Sequence, residues 1–218
     1  SQTLAPIIVN RRPANQTDTS ASLTGQVISA GLGLIEEVPF SPADYSGLRL
    51  WLDASDADGD GTLGSAVQGS AIALLADKSG QGNDAFQESN DSQPGYIQNE
   101  LNGNAVLRFD GHNDFLEFDE INSIRTLFLV VKRNVGNQGF MLGHDTSYAF
   151  HPGIQSVWSD TWTDTYLLNG LLHINGSSSD GLSQDYSYGS PALLSIKTTG
   201  ILPASSFSKD RSNEVYWN

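Results

Sequence analysis

Short runs of apolar residues alternate with clusters of Gly, Asn, Asp and Ser along most of the chain. From Leu48 onward these runs are RLWLDAS, AVLRFDG, DFLEFD, RTLFLVVKR, GFMLG, TYLLNG, LLHING and ALLSIKTTG. Runs of this length, with turn residues at regular spacing, predict β-strands joined by tight turns, as in a sandwich. RTLFLVVKR carries apolar residues on both faces, which is typical of a central strand covered on both sides. SAVQGSAIALLADKSG contains the one helical turn that we predict.

Residues 1–40 follow a different pattern. PIIVN and ASLTGQVIS predict two short strands around a polar turn, and GLGLIEEVPFSPADYSG is typical of a linker because Gly and Pro lie near its ends. The stretch TSASLTGQV resembles the opening strands of a fibronectin-type-III-like module of bacterial surface proteins. A segment this short cannot bury enough surface to fold alone. We therefore expect residues 1–40 to be an extended strand-like segment and linker that either docks on another surface or stays mobile.

The rest of the chain carries four motifs in a recognisable order: LRLWLDASDADGDGT, ALLADKSGQGNDAFQ, NAVLRFDGHNDFLEF and RTLFLVVKR. This order resembles the laminin-G-like domains of secreted bacterial proteins. The resemblance implies an all-β fold, a concanavalin-A-like jelly-roll sandwich of two antiparallel sheets with six or seven strands each, over residues 41–218. The family usually continues past Trp217 and Asn218 with a further strand. We therefore expect a domain that lacks its last strand, with an open edge or a partner strand filling it.

The net charge of the chain limits the classes of partner that it is expected to bind. Its 218 residues include 11 basic and 25 acidic side chains, which gives a net charge of -14, and no cysteine. This charge repels phosphate backbones and anionic lipid headgroups, so we expect neither nucleic acid nor a membrane as partner. The acids are 18 Asp and only 7 Glu, and Asp is typical of turns and calcium loops. An acidic, Asp-rich chain with a candidate calcium loop favours an extracellular location on a bacterial cell surface.

The candidate metal site is the loop Asp56-Ala-Asp58-Gly-Asp60-Gly-Thr62. Carboxylates at every second position of a tight turn can converge on one hard cation, and the Thr62 carbonyl can add a ligand. The spacing therefore predicts Ca2+, which would act as a staple in a chain without disulfides. The bidentate Glu of an EF-hand loop is missing, so further ligands must come from elsewhere. The nearest carboxylates in the sequence are Asp53, Asp77 and Asp84. The alternative is a solvated Asp/Gly turn that binds no metal.

A second candidate site lies in the segment WSDTWTDTY. In an extended strand one face would carry every second residue, namely Trp158, Asp160, Trp162, Asp164 and Tyr166. Aromatic rings beside carboxylates are typical of a sugar-binding surface, because rings stack on the apolar faces of pyranoses and carboxylates accept hydroxyl hydrogen bonds. The alternative is a loop in which one Trp turns inward to the core and the Asp residues cap turns.

Catalysis is not expected. Some members of the fold superfamily cut β-glucans with an E-x-D-x-x-E strand, and Glu117-Phe-Asp119-Glu-Ile-Asn122 begins like that motif. The second catalytic carboxylate would fall at Asn122, and an amide cannot donate the proton that a leaving sugar needs. Four histidines show no spacing typical of a zinc site: His112, His144, His151 and His173.

Two functions follow from these features. The first is a non-catalytic extracellular module that binds carbohydrate or extracellular matrix and is stabilised by calcium. The alternative is a structural subunit of a bacterial surface layer or extracellular filament, assembled by strand exchange. In that alternative, residues 1–40 would pair with the sheet edge of a neighbouring copy, which requires neither a ligand nor a catalytic residue.

Overall fold

The structure is a computed structural model that describes residues 41–64, 66–133, 140–153, 156–183 and 189–210. The chain divides into two units, residues 1–48 and 49–218. The described part of the first unit is 41–48, where Pro42–Asp44 forms one 3-10 turn. Ser41 caps this turn, because its hydroxyl accepts the Ala43 N–H and its own N–H donates to the Asp44 carboxylate. The strands predicted within 1–40 and the strand edge expected after Trp217 lie outside the described residues.

The regular elements of the second unit are mostly strands, joined by long loops. Two 3-10 turns, Ala54–Asp56 and Asn90–Ser92, and one short helix interrupt them. The strands are β1 (Leu74–Leu75), β2 (Ala85–Phe86), β3 (Gly95–Leu101), β4 (Asn104–Arg108), β5 (Leu116–Val131), β6 (Leu171–Ile174), β7 (Ser177–Ser179) and β8 (Ala192–Phe207), and the helix is α1 (Thr165–Leu168). Strands make up 37% of the described residues and helical residues 8%, so the part of the chain that the structure describes is consistent with the all-β class.

The strands form two antiparallel sheets. The larger sheet has six strands in the order β1-β2-β5-β8-β6-β7, and the smaller one is the β3-β4 hairpin. Asn102 and Gly103 connect that hairpin, and both have a positive φ (51° and 83°), as a tight two-residue hairpin turn requires. The resemblance implied six or seven strands in each sheet, whereas the described residues give six and two. Two antiparallel sheets are thus shown, and the jelly-roll topology remains a prediction.

The long pair β5 and β8 organises the larger sheet. Leu127 pairs with Ile196 and Leu129 with Leu194, and these residues face the core. The residues between them point the other way, and Val130 is 52% exposed. The expectation that both faces of RTLFLVVKR are covered is therefore wrong, because only one face packs against the core while the other reaches solvent. Alternation along the strand still sorts the two faces, as the strand period requires.

The core cluster draws on both sheets and on the loop between β5 and α1. Its largest members are fully buried, and Phe118 packs on Phe207 with ring centroids 5.0 Å apart. The loop supplies Phe150, Val157 and Trp158, and the strands supply Tyr96, Leu116, Leu194 and Leu202. A large part of the core therefore comes from a segment that has no strand ladder.

Two predicted strands run outside the ladders. In RLWLDAS the Trp51 N–H donates to the Asp77 carboxylate (2.9 Å), and the Trp51 carbonyl accepts the Lys78 N–H (2.8 Å). Because these groups bond to a turn, residues 49–53 form no strand. In GFMLG the described residues 140–143 are buried but make only one bridge, from Gly143 to Ser206. Both predictions of strands are wrong for the same reason: the apolar side chains are buried or half-buried, but the backbone forms no strand ladder.

Two further predictions exchange helix and strand. TYLLNG, predicted as a strand, contains α1, because Asp164 caps its first turn by accepting the Tyr166 N–H at 2.8 Å. SAVQGSAIALLADKSG, predicted to contain a helical turn, has no helix in its described residues and contributes β1 instead. Gly69 adopts a φ of +77° there, which a right-handed helix cannot accommodate.

Candidate binding cleft and acidic loop

An open cleft of about 890 Å³ lies beside the loop that follows β5. We call it the 151–183 cleft. Its described lining combines two aromatic rings, several hydroxyl groups and one carboxylate: His151, Pro152, Gly153, Ser156, Trp158, Ser159, Asp160, Thr161, Trp162, Leu182 and Ser183. A concave site with polar groups around an aromatic wall is the usual form of a small-ligand site.

The aromatic wall of the cleft extends beyond its lining residues. The Trp162 side chain is 57% exposed, and the neighbouring Tyr148 is 37% exposed. The two ring centroids lie 5.7 Å apart with an interplanar angle of 37°. The His151 ring lies 5.6 Å from Tyr148 and 6.4 Å from Trp162, and it meets Phe140 edge-on at 5.0 Å. Trp162 and Tyr148 therefore form an exposed aromatic surface, of which Trp162 lines the cleft, and the buried Phe140 supports it through the partly exposed His151.

Hydrogen bonds hold the loop that carries Trp162. The Thr163 hydroxyl donates to the His151 carbonyl (2.5 Å) and accepts the Ser159 N–H (2.9 Å). The Ser159 hydroxyl accepts the Trp162 N–H at 3.1 Å. The ring of His151 is itself held by a contact of 2.8 Å between its Nδ1 and the Pro152 carbonyl. The backbone under the two rings is therefore fixed by short local bonds, which favours a preformed surface.

Trp158 has a different environment from Trp162. It is only 1% exposed, and its backbone N–H donates to the Gly181 carbonyl at 2.8 Å. Gly181 has a φ of +71°, and a Cβ on it would overlap the Trp158 ring, lying 2.8 Å from Nε1. Only glycine therefore fits beneath this ring. The close approach fixes the turn that brings Leu182 and Ser183 to the cleft.

The structure places the predicted binding residues apart. Because 158–166 is a loop followed by α1, the prediction of one strand face is wrong. The structure agrees with the alternative, in which Trp158 turns inward and Asp164 caps a turn. Tyr166 is 47% exposed, but its ring covers Gly200 in β8. Asp160 and Trp162 are the two exposed predicted residues that line the cleft.

The sequence interpretation missed Tyr148 and His151. They precede Trp162 by more than ten residues, and no strand or helix period links the two segments. The exposed loop sequence SYAFHPG gave only a weak signal, namely three aromatic or imidazole rings within four positions. Packing of the loop brings these rings to Trp162.

The acidic loop does gather three carboxylates. Oxygens of Asp56, Asp58 and Asp60 all lie within 4.8 Å of one another. Asp56 is buried and Asp58 and Asp60 are exposed. The Asp56 carboxylate accepts the Gly61 N–H with both oxygens (3.2 Å each), and Asp60 accepts the Thr62 N–H at 2.6 Å. The arrangement suits a hard cation, but it also forms the hydrogen bonds of an Asp/Gly turn.

A positive charge already lies beside this loop. The Lys78 ammonium is 2.6 Å from Asp56 Oδ2 and 3.5 Å from Asp53 Oδ2, and it lies 4.6 Å from the centre of the Trp51 ring. The hydrogen bond and charge of Lys78 hold the pKa of the Asp56 carboxyl below its usual value against the opposing effect of burial. The Gly61 N–H acts in the same direction. A metal ion at Asp56 would therefore share the carboxylate with an internal ammonium.

Asp77 and Asp84 lie outside the group of three carboxylates and hold a neighbouring turn. The Asp77 carboxylate accepts the N–H groups of Trp51, Ser79 and Asn83 and the Ser79 hydroxyl. Burial raises the pKa of Asp77, but these hydrogen bonds outweigh it and the pKa is lowered. Asp84 accepts the Asp77 N–H at 2.7 Å. Their assignment as calcium ligands remains a prediction that these contacts do not favour.

The glycosidase-like motif and one of the histidines have other partners. Glu117 makes an ion pair with Lys209 at 2.6 Å, and Asp119 and Asn122 are exposed on β5. His144 caps a turn, because its Nδ1 accepts the N–H groups of Thr146 and Ser147 at 3.2 and 3.1 Å. None of these residues lines the 151–183 cleft.

Comparisons with protein families, with characterised proteins and with solved structures gave no match to this chain. The fold and both candidate sites are therefore described from the chain's own residues. Over the part of the chain that the structure describes, helices are too short and too polar to cross a membrane.

Proposed function

We propose that this chain is a non-catalytic extracellular carbohydrate-binding module of a bacterial surface protein, stabilised by calcium. The observation that carries the proposal is the exposed aromatic pair Trp162 and Tyr148 at the mouth of the 151–183 cleft. Adjacent exposed aromatic rings next to a concave polar surface are typical of a ligand-binding site. A pyranose offers such a site an apolar face and hydroxyl groups on its rim.

The polar groups of the cleft suit a sugar rim. The Thr161 and Ser183 hydroxyls and the Asp160 carboxylate lie among its lining residues. A hydroxyl can both donate and accept, and a carboxylate accepts strongly, so this set can bind sugar hydroxyls in several orientations. The Thr161 hydroxyl already donates to Asp160 at 3.0 Å, which orients that carboxylate.

The same lining supports binding without hydrolysis. Asp160 is the one carboxylate among the described lining residues. Glycoside hydrolysis ordinarily uses two carboxyl groups that flank the scissile bond. A single exposed carboxylate supplies a hydrogen-bond acceptor, and binding without hydrolysis requires no second carboxylate.

Trp162→Ala tests the carbohydrate site. We expect this variant to weaken binding to any retained glycan by about tenfold or more, because a stacking platform contributes about 1–3 kcal/mol. The measurement is a glycan array followed by calorimetry on the glycans that bind. Leu171→Ala is the matched control, because Leu171 is also 57% exposed but lies on β6. Equal retention by Trp162→Ala and wild type would remove the main support for the proposal.

Calcium binding is proposed at the loop of Asp56, Asp58 and Asp60, and its support is the convergence of three oxygens. A metal that binds only the folded chain adds about 2.7 kcal/mol at 100 times its dissociation constant. For a domain of this size, chelation should then lower the melting temperature by about 5–10 °C. The double variant Asp58→Asn with Asp60→Asn should lose this calcium response. Identical melting curves with calcium and with chelator would show that this loop is an Asp/Gly turn that binds no metal.

One observation favours the alternative of an assembled surface layer or filament. The outer face of the six-stranded sheet exposes several apolar side chains on β5, β6 and β8: Val130, Leu171 and Ile201. The strand exchange itself would depend on residues 1–40, which lie outside the described part. Light scattering over the micromolar range separates the two functions, since a chain that stays monomeric does not assemble itself.

A further inference from the structure

We infer that the 151–183 cleft selects glycans that carry protonated amino groups, such as polymers of glucosamine, over neutral and acidic glycans. This inference rests on the carbohydrate-binding function proposed above and adds the charge of the ligand. Its structural basis is an exposed carboxylate beside exposed aromatic rings, in a stretch of chain that contains histidine but no Lys or Arg.

The stretch of sequence that supplies the cleft lining contains aspartates but no Lys or Arg. Between Arg133 and Lys197 the sequence has no Lys or Arg, and every residue that lines the cleft comes from this stretch. The same stretch contains five aspartates: Asp145, Asp160, Asp164, Asp180 and Asp185. A carboxylate on a ligand would find no cationic partner from this stretch and would be repelled by the net charge of -14.

Hydrogen bonds orient the carboxylate that lines the cleft. Asp160 is among the lining residues, and its Oδ1 accepts the Thr161 hydroxyl. Asp180 accepts the N–H groups of Leu182 and Ser183, both at 2.9 Å, and so holds the turn that carries these two lining residues. Hydrogen bonds from the Ser183 and Leu182 backbone lower the pKa of Asp180. A ligand cation in the cleft would meet the Asp160 carboxylate.

The aromatic rings also favour a positively charged ligand. The face of an aromatic ring carries partial negative charge and attracts an ammonium group within about 6 Å. Trp162 and Tyr148 expose their rings at the cleft with centroids 5.7 Å apart. An amino sugar stacked on these rings would place its ring carbons on the aromatic surface and its ammonium near Asp160. A neutral sugar would gain only the first contact.

Three oligosaccharides of equal length test the inference at about pH 5.5, where the amino groups of glucosamine are protonated and aspartates are still ionised: a glucosamine oligomer, an N-acetylglucosamine oligomer and a galacturonic acid oligomer. We expect the glucosamine oligomer to bind about tenfold more tightly than the acetylated one at low salt. The preference should shrink in high salt, because exposed charges are then screened. The galacturonic acid oligomer should bind most weakly. Calorimetry gives all three affinities.

Matched variants separate the local site from the net charge. Asp160→Asn should weaken binding of the glucosamine oligomer about threefold more than it weakens binding of the acetylated oligomer, because only the first loses a charge interaction. Asp119→Asn removes the same charge from an exposed position on β5 and should change neither affinity. For an oligolysine of equal charge, Trp162→Ala should cause a smaller loss of affinity than for the glucosamine oligomer, because a lysine chain has no sugar ring to stack on Trp162.

The outcomes distinguish the two proposals. Binding of a neutral or acidic oligomer as tightly as the glucosamine oligomer, with loss in Trp162→Ala, would leave the carbohydrate site standing and overturn the charge selectivity. An equal effect of Asp119→Asn and Asp160→Asn would overturn it too. If no oligomer bound, or if Trp162→Ala bound all of them as wild type does, the carbohydrate function itself would be wrong.

Discussion

Replacing Lys78 by Met should show how much the Lys78 ammonium contributes to the stability of the acidic loop. The Lys78 ammonium lies 2.6 Å from Asp56 Oδ2, with the Asp56 side chain fully buried and Lys78 only 16% exposed. Removing one partner of a buried ion pair typically destabilises a protein by about 3–5 kcal/mol, because the other charge remains buried. Lys78 reaches solvent and Gly61 still donates to Asp56, so we expect the lower end, about 3 kcal/mol. The melting temperature should fall by about 6–12 °C.

The assay is urea unfolding followed by tryptophan fluorescence, with chelator present. Lys132→Met is the matched control, because Lys132 pairs with the half-exposed Glu100 at 3.2 Å. An exposed pair of this kind contributes less than about 1 kcal/mol. The lowered pKa of Asp56 gives the sign of the pH dependence: its stabilisation exists above the unfolded value of 3.8 and is lost as the pH falls below it. The difference between Lys78→Met and wild type should therefore shrink in acid.

Calcium extends the same experiment. If the ion binds at Asp56, it can replace the missing ammonium, so calcium should stabilise Lys78→Met more than wild type. A loss in Lys78→Met no larger than in Lys132→Met would refute the reasoning about the buried carboxylate. Equal calcium stabilisation of both proteins would show that Lys78 and the metal do not compete.

Two further changes test the packing and electrostatics of the fold. Burial, with a smaller contribution from the Asp110 carboxylate, raises the pKa of Asp114 to about 6. The folded form therefore loses stability as the pH rises from about 4 through 6, and Asp114→Asn should gain about 1–2 kcal/mol at pH 8 but nothing at pH 4 in denaturant titrations. Gly181→Ala should lose at least about 2 kcal/mol and the near-ultraviolet signal of Trp158, because the added carbon overlaps that ring. Gly176→Ala, with a φ of +82° and open space around it, should lose only about 1 kcal/mol. Equal losses would contradict the close packing at Gly181.

The apolar and polar pattern of the chain predicted the fold class. The short apolar runs ALLSIKTTG and DFLEFD correspond to β8 and to the start of β5, where burial alternates along the strand because only one face packs on the core. The Asp/Gly spacing of 56–62 likewise predicted a tight turn, since Asp side chains accept nearby N–H groups and Gly61 supplies a positive φ of 86°. These features depend on neighbours in the sequence, which a single sequence displays.

Only the tertiary structure decided which aromatic rings are exposed and which charges meet. Trp158 and Trp162 have almost the same local sequence. Gly181, more than twenty residues further along the chain, leaves space for the ring of Trp158 in the core. Trp162 instead lies beside Tyr148, and the buried Asp56 meets Lys78 rather than a nearer residue. Loops have no period that assigns a residue to a face, so the orientation of their side chains follows from packing between segments distant in the sequence. The pattern of residues fixed the class of fold, and packing set the chemistry of both sites.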